Sequence, residues 1–550
     1  MGLFVGADSR TLRSMNPPAK PPLVDRLPPT LQALTLPVFR MLWLAWLAAN
    51  LTMWMNDVAA AWLMTQLTDS AVMVALVSAA STLPVFLLGI PSGALADIID
   101  RRRWFAATQL WVASVAVLLA LLSLGDGLDA QLLLALTFAN GIGLAMRWPV
   151  FAAIVPDIVP RERLSGALAL QALAMNISRV VGPMFAGALL AASGSTAVFV
   201  LNALLSLVAF AQVLRWKSPP RVSALPGERF VGAMRVGLQH VRQSPRMKAV
   251  LVRVFLFFVQ SMALTALLPL VARRLGSGAG GFTLLVSSMG VGAVAAALTV
   301  PQLREKVTRD AIALWGTLIV STATLAVAFA PALWIAALAM VVAGVAWIST
   351  ANTMTMSAQL ALPNWVRARG MSVYQMALMG GSAGGAVLWG QVAERASVPA
   401  ALVTAAALGP LVLLLTRRLS LGGGQDEDLS AMPAHPVPAP AFSFEPDRGP
   451  VMVTVEYLID PADGDAFRAV MQDTRRARLR QGALSWGLFR DTAQTGRYIE
   501  YFVDESWVEH QRRMERFTAA DIGLRDRRLA FHRGSEIPRV TRYLAEDLDV

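Results

Sequence analysis

Apolar runs of about 20 residues recur along this chain from Val38 to Leu415, each long enough for a helix to cross the ~30 Å core of a bilayer. A chain in lipid must satisfy its own backbone hydrogen bonds, and the period-two alternation of a membrane β-barrel is absent. Hydrophobic residues make up 55% of the chain and charged residues 15%, against roughly 25% charged in soluble proteins. The sequence therefore predicts an all-α membrane protein, with a small soluble unit after the last apolar run.

Twelve membrane spans are predicted, and the polar stretch 216–247 divides them into six and six. They cover about 38–66, 72–96, 104–124, 130–154, 164–191, 196–215, 248–271, 280–301, 311–330, 332–356, 371–392 and 398–416. The predicted domains are a tail (1–36), a first half (37–215), a central loop (216–247), a second half (248–418), a flexible linker (419–449) and a soluble domain (450–550).

The basic residues predict the orientation. The net charge is +12, but Arg and Lys lie mainly between alternate spans, which is the pattern of membrane orientation and not of nucleic-acid binding. Both termini are therefore expected in the cytoplasm, and Arg273, Arg274 and Arg395 are exceptions to the pattern. The Pro-rich N-terminal residues have no apolar core of a signal peptide and are interpreted as a cytosolic tail.

Several chemistries are not expected. The chain has no cysteine, which excludes disulfides, thiol nucleophiles and Cys-ligated metals. No phosphate-binding loop of an ATP motor is found, so primary active transport is not expected. No catalytic residue, cofactor or metal site is predicted.

An internal repeat supports the two-halved interpretation. The turn 155–163 precedes the fifth span and the turn 362–369 precedes the eleventh, and one gap aligns Pro156 with Pro363 and Arg163 with Arg369. Duplicated halves are typical of transporters whose site lies between the repeats. Two similar turns arising by chance are the alternative.

The loop between the second and third spans carries Gly93, Asp97, Arg101 and Arg102. It resembles the corresponding loop of major facilitator superfamily transporters, although Ile98 and Asp100 depart from the usual pattern. Glycine permits close helix packing, the aspartate can accept hydrogen bonds at a facing helix, and the arginines can pair with Asp157 or Glu162. A cytoplasmic gate is the prediction, and a plain positive anchor is the alternative.

The fifth span contains Gly182, Pro183 and Gly187, which resemble the glycine–proline motif of the superfamily's antiporters. Small residues at this spacing favour close packing, and a proline removes one backbone donor. The eleventh span has its counterpart in four glycines, Gly380, Gly381, Gly384 and Gly385. With the Gly93 loop, this pattern favours export over import.

Three ionisable residues, Asp57, Arg147 and Arg179, lie well inside predicted spans. A lone charge there costs at least ~2.5–3.5 kcal/mol, so such residues are candidates for function. Asp57 and Arg179 are expected to face a central cavity, where Asp57 carries the coupling proton or pairs with Arg179. A buried structural ion pair or a side chain reaching the headgroups is the alternative. Asn56, Asn140 and other amides are expected as polar lining or helix–helix hydrogen bonds.

The soluble domain has the pattern of a βαββαβ fold, which is ferredoxin-like. Strands are predicted at 451–457, 484–490, 497–503 and 539–544, with helices at 462–480 and 506–517. The pattern is similar to dimeric domains of the antibiotic-biosynthesis monooxygenase type. Trp486, Trp507, His510 and His532 are its residues of interest, and a structural or self-associating role is favoured over an enzymatic one.

Further runs resemble the enterobactin-exporter-like branch (transmembrane secretion effectors) of the superfamily. They are 39–43, 62–63, 67–70, 155–164, 362–371 and 507–510. This resemblance implies an inner-membrane carrier that exports a small organic molecule, siderophore- or drug-like, against inward proton flow by alternating access. A transporter fused to an enzyme and a membrane regulator that transports nothing are the rival interpretations.

Overall fold

The computed structural model describes residues 29–98, 100–216, 230–304, 306–422, 428–430, 432 and 438–546. Most of the predicted N-terminal tail (1–28) and residues 217–229 of the predicted central loop lie outside the described residues.

Long helices dominate the chain as far as Leu415. In chain order they are α1 (Pro29–Gln32), α2 (Pro37–Leu67), α3 (Ala71–Ile98), α4 (Arg101–Leu124), α5 (Ala130–Ile158), α6 (Arg161–Arg215), α7 (Phe230–Gln243), α8 (Pro245–Ala266), α9 (Leu268–Arg274), α10 (Gly278–Arg304), α11 (Arg309–Ala328), α12 (Leu333–Leu360), α13 (Arg367–Arg395) and α14 (Val398–Leu415).

Within the described residues, ten segments are long and apolar enough to cross a membrane. One of them lies in α6, whose 55 residues would extend about 80 Å as a straight helix. Gly194 interrupts α6 with φ 78° and ψ 178°, a conformation that only glycine adopts readily. The interruption falls between the predicted spans 164–191 and 196–215. The Gly-rich helix α13 is long enough to cross but is not among the ten.

Two bundles, α2–α6 and α8–α14, pack against each other along two pairs of helices. Helix α3 contacts α13, and α6 contacts α10. We call these two contacts the seam. The ends of the bundle are named by residues that lie there: the Glu394 end, where α3 begins and α13 ends, and the Arg102 end, where α4 begins.

The apolar cores differ between the two ends. One large cluster joins residues of both bundles, such as Val74 and Ala383, and includes the residues next to the Glu394 end. Among the described side chains nearer the Arg102 end, the first bundle has its own cluster around Phe105 and Phe151, and the second has another around Phe257 and Tyr374. As far as the described side chains show, the bundles therefore share a core at one end and have separate cores at the other.

A four-stranded sheet follows the helices. Its elements are β1 (Val451–Leu458), α15 (Gly464–Arg480), β2 (Ser485–Arg490), β3 (Arg497–Asp504), α16 (Trp507–Glu515), α17 (Ala519–Leu529) and β4 (Val540–Leu544). The strand order is β2-β3-β1-β4 and every neighbouring pair is antiparallel. Two helices, α16 and α17, stand between β3 and β4, where one was predicted. We call residues 450–550 the tail, as distinct from the predicted N-terminal tail (1–36).

Part of the predicted linker packs on the tail. The ring of Phe444 lies 5.4 Å from that of Trp507, and the backbone N–H of Trp507 donates to the carbonyl of Arg448 at 3.0 Å. Residues 444–449 therefore run along the tail, and Phe444 extends its core.

The tail also contacts the bundle through α7, a helix within the predicted central loop. The Gln239 amide donates to the carbonyl of Ala483 at 2.7 Å, and Arg235 forms an ion pair with Glu505. On another side α7 meets the turn before α13, where the His240 ring packs edge-on against Trp365 at 5.4 Å. Helix α7 thus lies between the tail and the second bundle.

Candidate functional site

Arg179 lies in the part of α6 that precedes Gly194 and contacts side chains of both bundles. Its guanidinium carbon is 5.6 Å from the ring centre of Trp54 on α2 and 5.7 Å from that of Trp347 on α12. Guanidinium groups are attracted to indole faces at this distance. Gly182, one turn further along α6, allows the approach, because a methyl group there would lie 2.8 Å from the Trp54 Cβ.

Asp57 follows Trp54 by one turn on α2, and its Oδ1 atom is buried without a hydrogen-bond partner among the described residues. The structure does not form the pair with Arg179 that was one of the two predictions for Asp57. Arg179 has tryptophan neighbours instead, and the role of Asp57 in carrying a proton stays a prediction.

Arg147 is completely buried in the first bundle. Its guanidinium lies 5.5 Å from the ring centre of Trp46 and donates to the carbonyl of Ala49 at 3.2 Å. Its Nε and Nη1 atoms have no hydrogen-bond partner among the described residues. Because these contacts are all with α2, Arg147 belongs to the interior of the first bundle and not to the space between bundles.

The predicted polar residues Asn56 and Asn140 line a small cavity inside the first bundle, together with Asn202 and Ser206. Its volume of about 10 Å³ is close to what one water occupies. Gln260 instead donates to the Ser321 hydroxyl at 3.0 Å, a bond between α8 and α11. These amides therefore lie in the interior of the bundles, the asparagines in the first and Gln260 in the second.

Two polar contacts close the Glu394 end. The Glu394 carboxylate, at the end of α13, accepts hydrogen bonds from the backbone N–H of Ala71 (2.5 Å) and Val72 (3.3 Å) and from the Ser70 hydroxyl (3.2 Å). A carboxylate is favourable there because α3 begins at Ala71, and the N-terminus of a helix carries partial positive charge. Across the same end, Arg273 pairs with Asp69 at 2.9 Å.

Apolar contacts reinforce this closure. The rings of Trp62 on α2 and Phe282 on α10 stack with centres 5.7 Å apart. Gly187 on α6 faces Thr283 on α10 so closely that a methyl group at Gly187 would overlap the Thr283 side chain. Gly187, a residue of the predicted antiporter motif, therefore lies at the seam. Pro183 is one residue from Gly182 and lies buried inside α6.

The glycines of α13 also permit close packing. A methyl group at Gly380 would lie 2.9 Å from the Phe86 ring of α3, and one at Gly385 would lie 2.6 Å from the Val259 carbonyl of α8. Gly384 differs, because a methyl group there meets no atom within 4 Å.

At the Arg102 end, α3 ends at Ile98 and α4 begins at Arg101, so the connection is short and the four residues predicted in the loop lie on the two helices. The Asp100 side chain caps α4 by accepting from the Arg103 N–H at 2.9 Å, which gives this departure from the superfamily pattern a structural role. Arg102 donates to the carbonyl of Leu214, at the end of α6, at 3.1 Å. The side chains of Gly93, Asp97, Arg101, Asp157 and Glu162 lie outside the described part, and so does their predicted pairing.

The tail contains a buried network of charges around Glu500. This carboxylate accepts from Arg478 (2.9 Å), Tyr457 (3.0 Å) and the Trp486 indole (3.1 Å). Burial alone would raise the pKa of Glu500, but the positive charges of Arg478 and Arg528 outweigh it and lower this pKa to about 2. The network keeps the glutamate ionised inside the tail.

The tail histidines are engaged in the fold. The Nδ1 atom of His510 lies 2.7 Å from the Asp504 carboxylate, and the Arg542 guanidinium donates to its Nε2 atom at 3.1 Å. Burial lowers the pKa of His510. His532 accepts from the backbone N–H of Leu458 at 3.1 Å. Each predicted tail residue of interest thus has a structural partner.

Sequence reasoning missed the roles of Trp54, Trp347 and Glu394. The only signal for Trp54 was its position one turn before Asp57, and Trp347 has no charged residue within a turn along the chain. Arg273 and Arg274 were exceptions to the predicted charge pattern. In the structure Arg273 pairs with Asp69 across the bundles, and Arg274 donates to the carbonyl of Ala328 at 2.8 Å.

Comparison with known proteins agrees with this architecture. The family model described as "Transmembrane secretion effector" matches residues 29–549. This chain belongs to that family, which is part of the major facilitator transporters. It is a multi-pass membrane protein that functions in transmembrane transport.

Macrolide efflux protein A of Streptococcus pyogenes is 26% identical over 237 residues, which cover 42% of this chain and 58% of that protein. The staphyloferrin A transporter of Staphylococcus aureus is 22% identical over 253 residues, covering 45% and 63%. The matches thus span about six tenths of these relatives' length.

Solved structures share the fold. The nucleoside transporter NupG (D323A mutant) has a TM-score of 0.57 at 12% identity, covering 70% of this chain and 99% of that one. A bacterial homolog of the human lysosomal transporter Spinster has a TM-score of 0.53 at 16% identity, covering 70% and 97%.

Proposed function

We propose that this protein is a proton-coupled antiporter that exports a small organic molecule from the cell by alternating access. The observation that carries the proposal is the difference between the ends of the bundle. The two halves share a core and polar contacts at the Glu394 end, while their described cores are separate near the Arg102 end. Two halves joined at one end and apart at the other form one state of a rocking carrier.

In this proposal the chain crosses the inner membrane twelve times, with both termini in the cytoplasm. Counting α6 as two crossings, on either side of Gly194, and adding α13 to the apolar segments supports the number twelve. The Arg102 end then faces the cytoplasm, in accordance with the basic loops. Gly93, Asp97, Arg101 and Arg102 form the cytoplasmic gate.

Asp57 is proposed to carry the proton, since its Oδ1 atom is buried and without a partner among the described residues. The efflux proteins among the relatives support export and a small organic cargo.

The test uses proteoliposomes that hold the purified full chain and a trapped pH-sensitive dye, with an imposed pH gradient. We expect a transported compound, screened from macrolides and siderophores, to move against a proton flux that the dye reports. Asp57→Asn should abolish the proton flux, while Asp126→Asn, at an exposed turn, should leave it unchanged. Cargo flux without proton flux would refute the coupling, and no flux of any compound would refute the carrier.

The tail is proposed to have a structural and not an enzymatic role, because its histidines and Trp486 are bonded within the fold. Its strand order, β2-β3-β1-β4, supports the ferredoxin-like assignment. Self-association through the tail stays a prediction, supported by apolar side chains exposed on the tail, Met452, Phe489 and Tyr543.

A further inference from the structure

We infer that Arg179 binds the carboxylate of a flat organic acid, with the acid group on the guanidinium and the apolar body beside Trp54 and Trp347. The inference rests on the proposed function for its meaning, because it names the substrate class of that transporter. Binding at this site can nevertheless be measured without any transport.

The first step is the missing counter-charge. Among the described residues, Arg179 takes part in no ion pair or hydrogen bond, and its Nε atom is buried without a partner. Arginines within membrane spans are normally paired with acids or with backbone carbonyls. The guanidinium therefore has unused hydrogen-bond donors in a position where an unpaired charge is unfavourable.

The second step is the balance of charge. Arg147 and Arg179 are two cations inside helices of the first half, and Asp57 is an acid inside α2. A weakly screened interior with excess positive charge attracts anions and repels cations. An anionic cargo removes the excess when it binds.

The third step is the geometry of the rings. Trp54 and Trp347 lie at cation–π distance from the guanidinium, which orients it by interaction with aromatic faces. Its N–H edge can then meet a carboxylate through two parallel hydrogen bonds, the arrangement that arginine favours. Indole faces beside the charge suit a planar apolar body.

The fourth step is the position between the halves. Trp54 and Arg179 belong to α2 and α6 of the first half, and Trp347 belongs to α12 of the second. Any rocking of the halves changes the distance between Trp347 and Arg179. A ligand held here is consequently in contact with both moving parts.

The experiment measures equilibrium binding to the full chain in nanodiscs with three matched probes: 2-naphthoate, the neutral 2-naphthylmethanol and the cationic 2-naphthylmethylammonium. We expect 2-naphthoate to bind the most tightly. Arg179→Gln should weaken its binding about tenfold to a hundredfold, the effect of losing a charge-assisted hydrogen bond, and should leave the alcohol unchanged. The affinity of Arg179→Lys for 2-naphthoate should fall between those of the wild type and Arg179→Gln, since lysine keeps the charge without the planar fork.

Arg395→Gln is the matched control, because Arg395 is exposed at the Glu394 end, and it should bind like the wild type. If Arg179→Gln does not fold, Trp347→Leu is the second variant and should weaken 2-naphthoate binding more than that of the cation. Equal binding of the three probes, no binding of 2-naphthoate, or insensitivity to both variants would overturn the inference. A chain that binds 2-naphthoate through Arg179 but transports nothing would support the site and contradict the proposed function.

Discussion

Gly187 faces Thr283 across the seam, and no side chain fits between them. We expect Gly187→Ala to separate α6 from α10 at a cost of about 1–3 kcal/mol, the usual range for overpacking. The state closed at the Glu394 end should become less populated, and the initial transport rate in proteoliposomes should fall several-fold.

Gly384→Ala is the matched control for that variant, because its methyl group meets no atom within 4 Å. It should transport at the wild-type rate. Combining Gly187→Ala with Thr283→Ala should restore part of the lost rate. A fully active Gly187→Ala would mean that the seam tolerates separation at this point.

At the scale of single residues, the sequence allowed Asp57, Arg147, Arg179 and the glycines to be selected, because charges and small residues in an apolar span are conspicuous. Their partners could not be predicted. Arg179 and Trp347 lie in different halves, far apart along the chain, and only the packing of two bundles brings them together. The predicted pair of Asp57 with Arg179 rested on the position of both residues well inside predicted spans, which does not determine which way a side chain faces.

At the scale of helices, the Glu394 carboxylate connects the end of α13 to the start of α3. Replacing it by glutamine keeps an acceptor but removes the negative charge at a helix N-terminus. The lost stabilisation should be about 1 kcal/mol, which shifts the open–closed equilibrium about fivefold. Glu394→Gln should therefore populate the state open at this end.

The absence of cysteine makes this shift measurable. Thr283→Cys places a single thiol at the seam, where a membrane-impermeant maleimide reaches it from the Glu394 side only when that end opens. We expect labelling to become about fivefold faster in Glu394→Gln. Asp126→Asn, which removes an exposed charge at the turn after α4, should not change it. Equal labelling rates in all three proteins would contradict a closing role for Glu394.

The helices themselves were largely predictable, because a bilayer-length apolar run has few alternatives. The interruption of α6 was expected near 192–195, and Gly194 is the residue that adopts it. Helix α7 was not predicted, since its apolar residues are spaced for one face only and it lies in a polar stretch. Its partners, the tail and the turn before α13, supply the burial that keeps it helical.

At the scale of the whole molecule, His240 makes the contact between tail and bundle sensitive to pH. Burial first, and then the positive charge of Arg480, lower the pKa of His240 to about 3, with Asp521 opposing the shift. Below an ordinary histidine pKa of about 6.5, the undocked state binds the proton more strongly. The free energy that favours docking of the tail on α7 should therefore decrease as the pH falls from about 6.5 towards 3, by up to about 1.4 kcal/mol per pH unit.

Hydrogen exchange of α7 in the full chain, corrected for the intrinsic effect of pH, measures this docking. Wild-type α7 should lose protection between pH 7.5 and pH 5.5. His240→Gln should show no such slope, whereas His532→Gln, which alters a histidine away from α7, should behave like the wild type. Protection of α7 that is independent of pH in the wild type would show that His240 does not control docking.

The tail leaves the ribosome after both bundles, yet it covers α7, a helix that is made long before it. Until residues 477–516 have folded, the Gln239 amide and the Arg235 guanidinium of α7 have none of their partners in the tail. A product terminated prematurely inside the tail would carry both bundles but an uncovered α7, with its apolar face in water. An uncovered apolar helix face is a target for proteases, so the interface between the tail and α7 would protect only those chains in which the tail has folded.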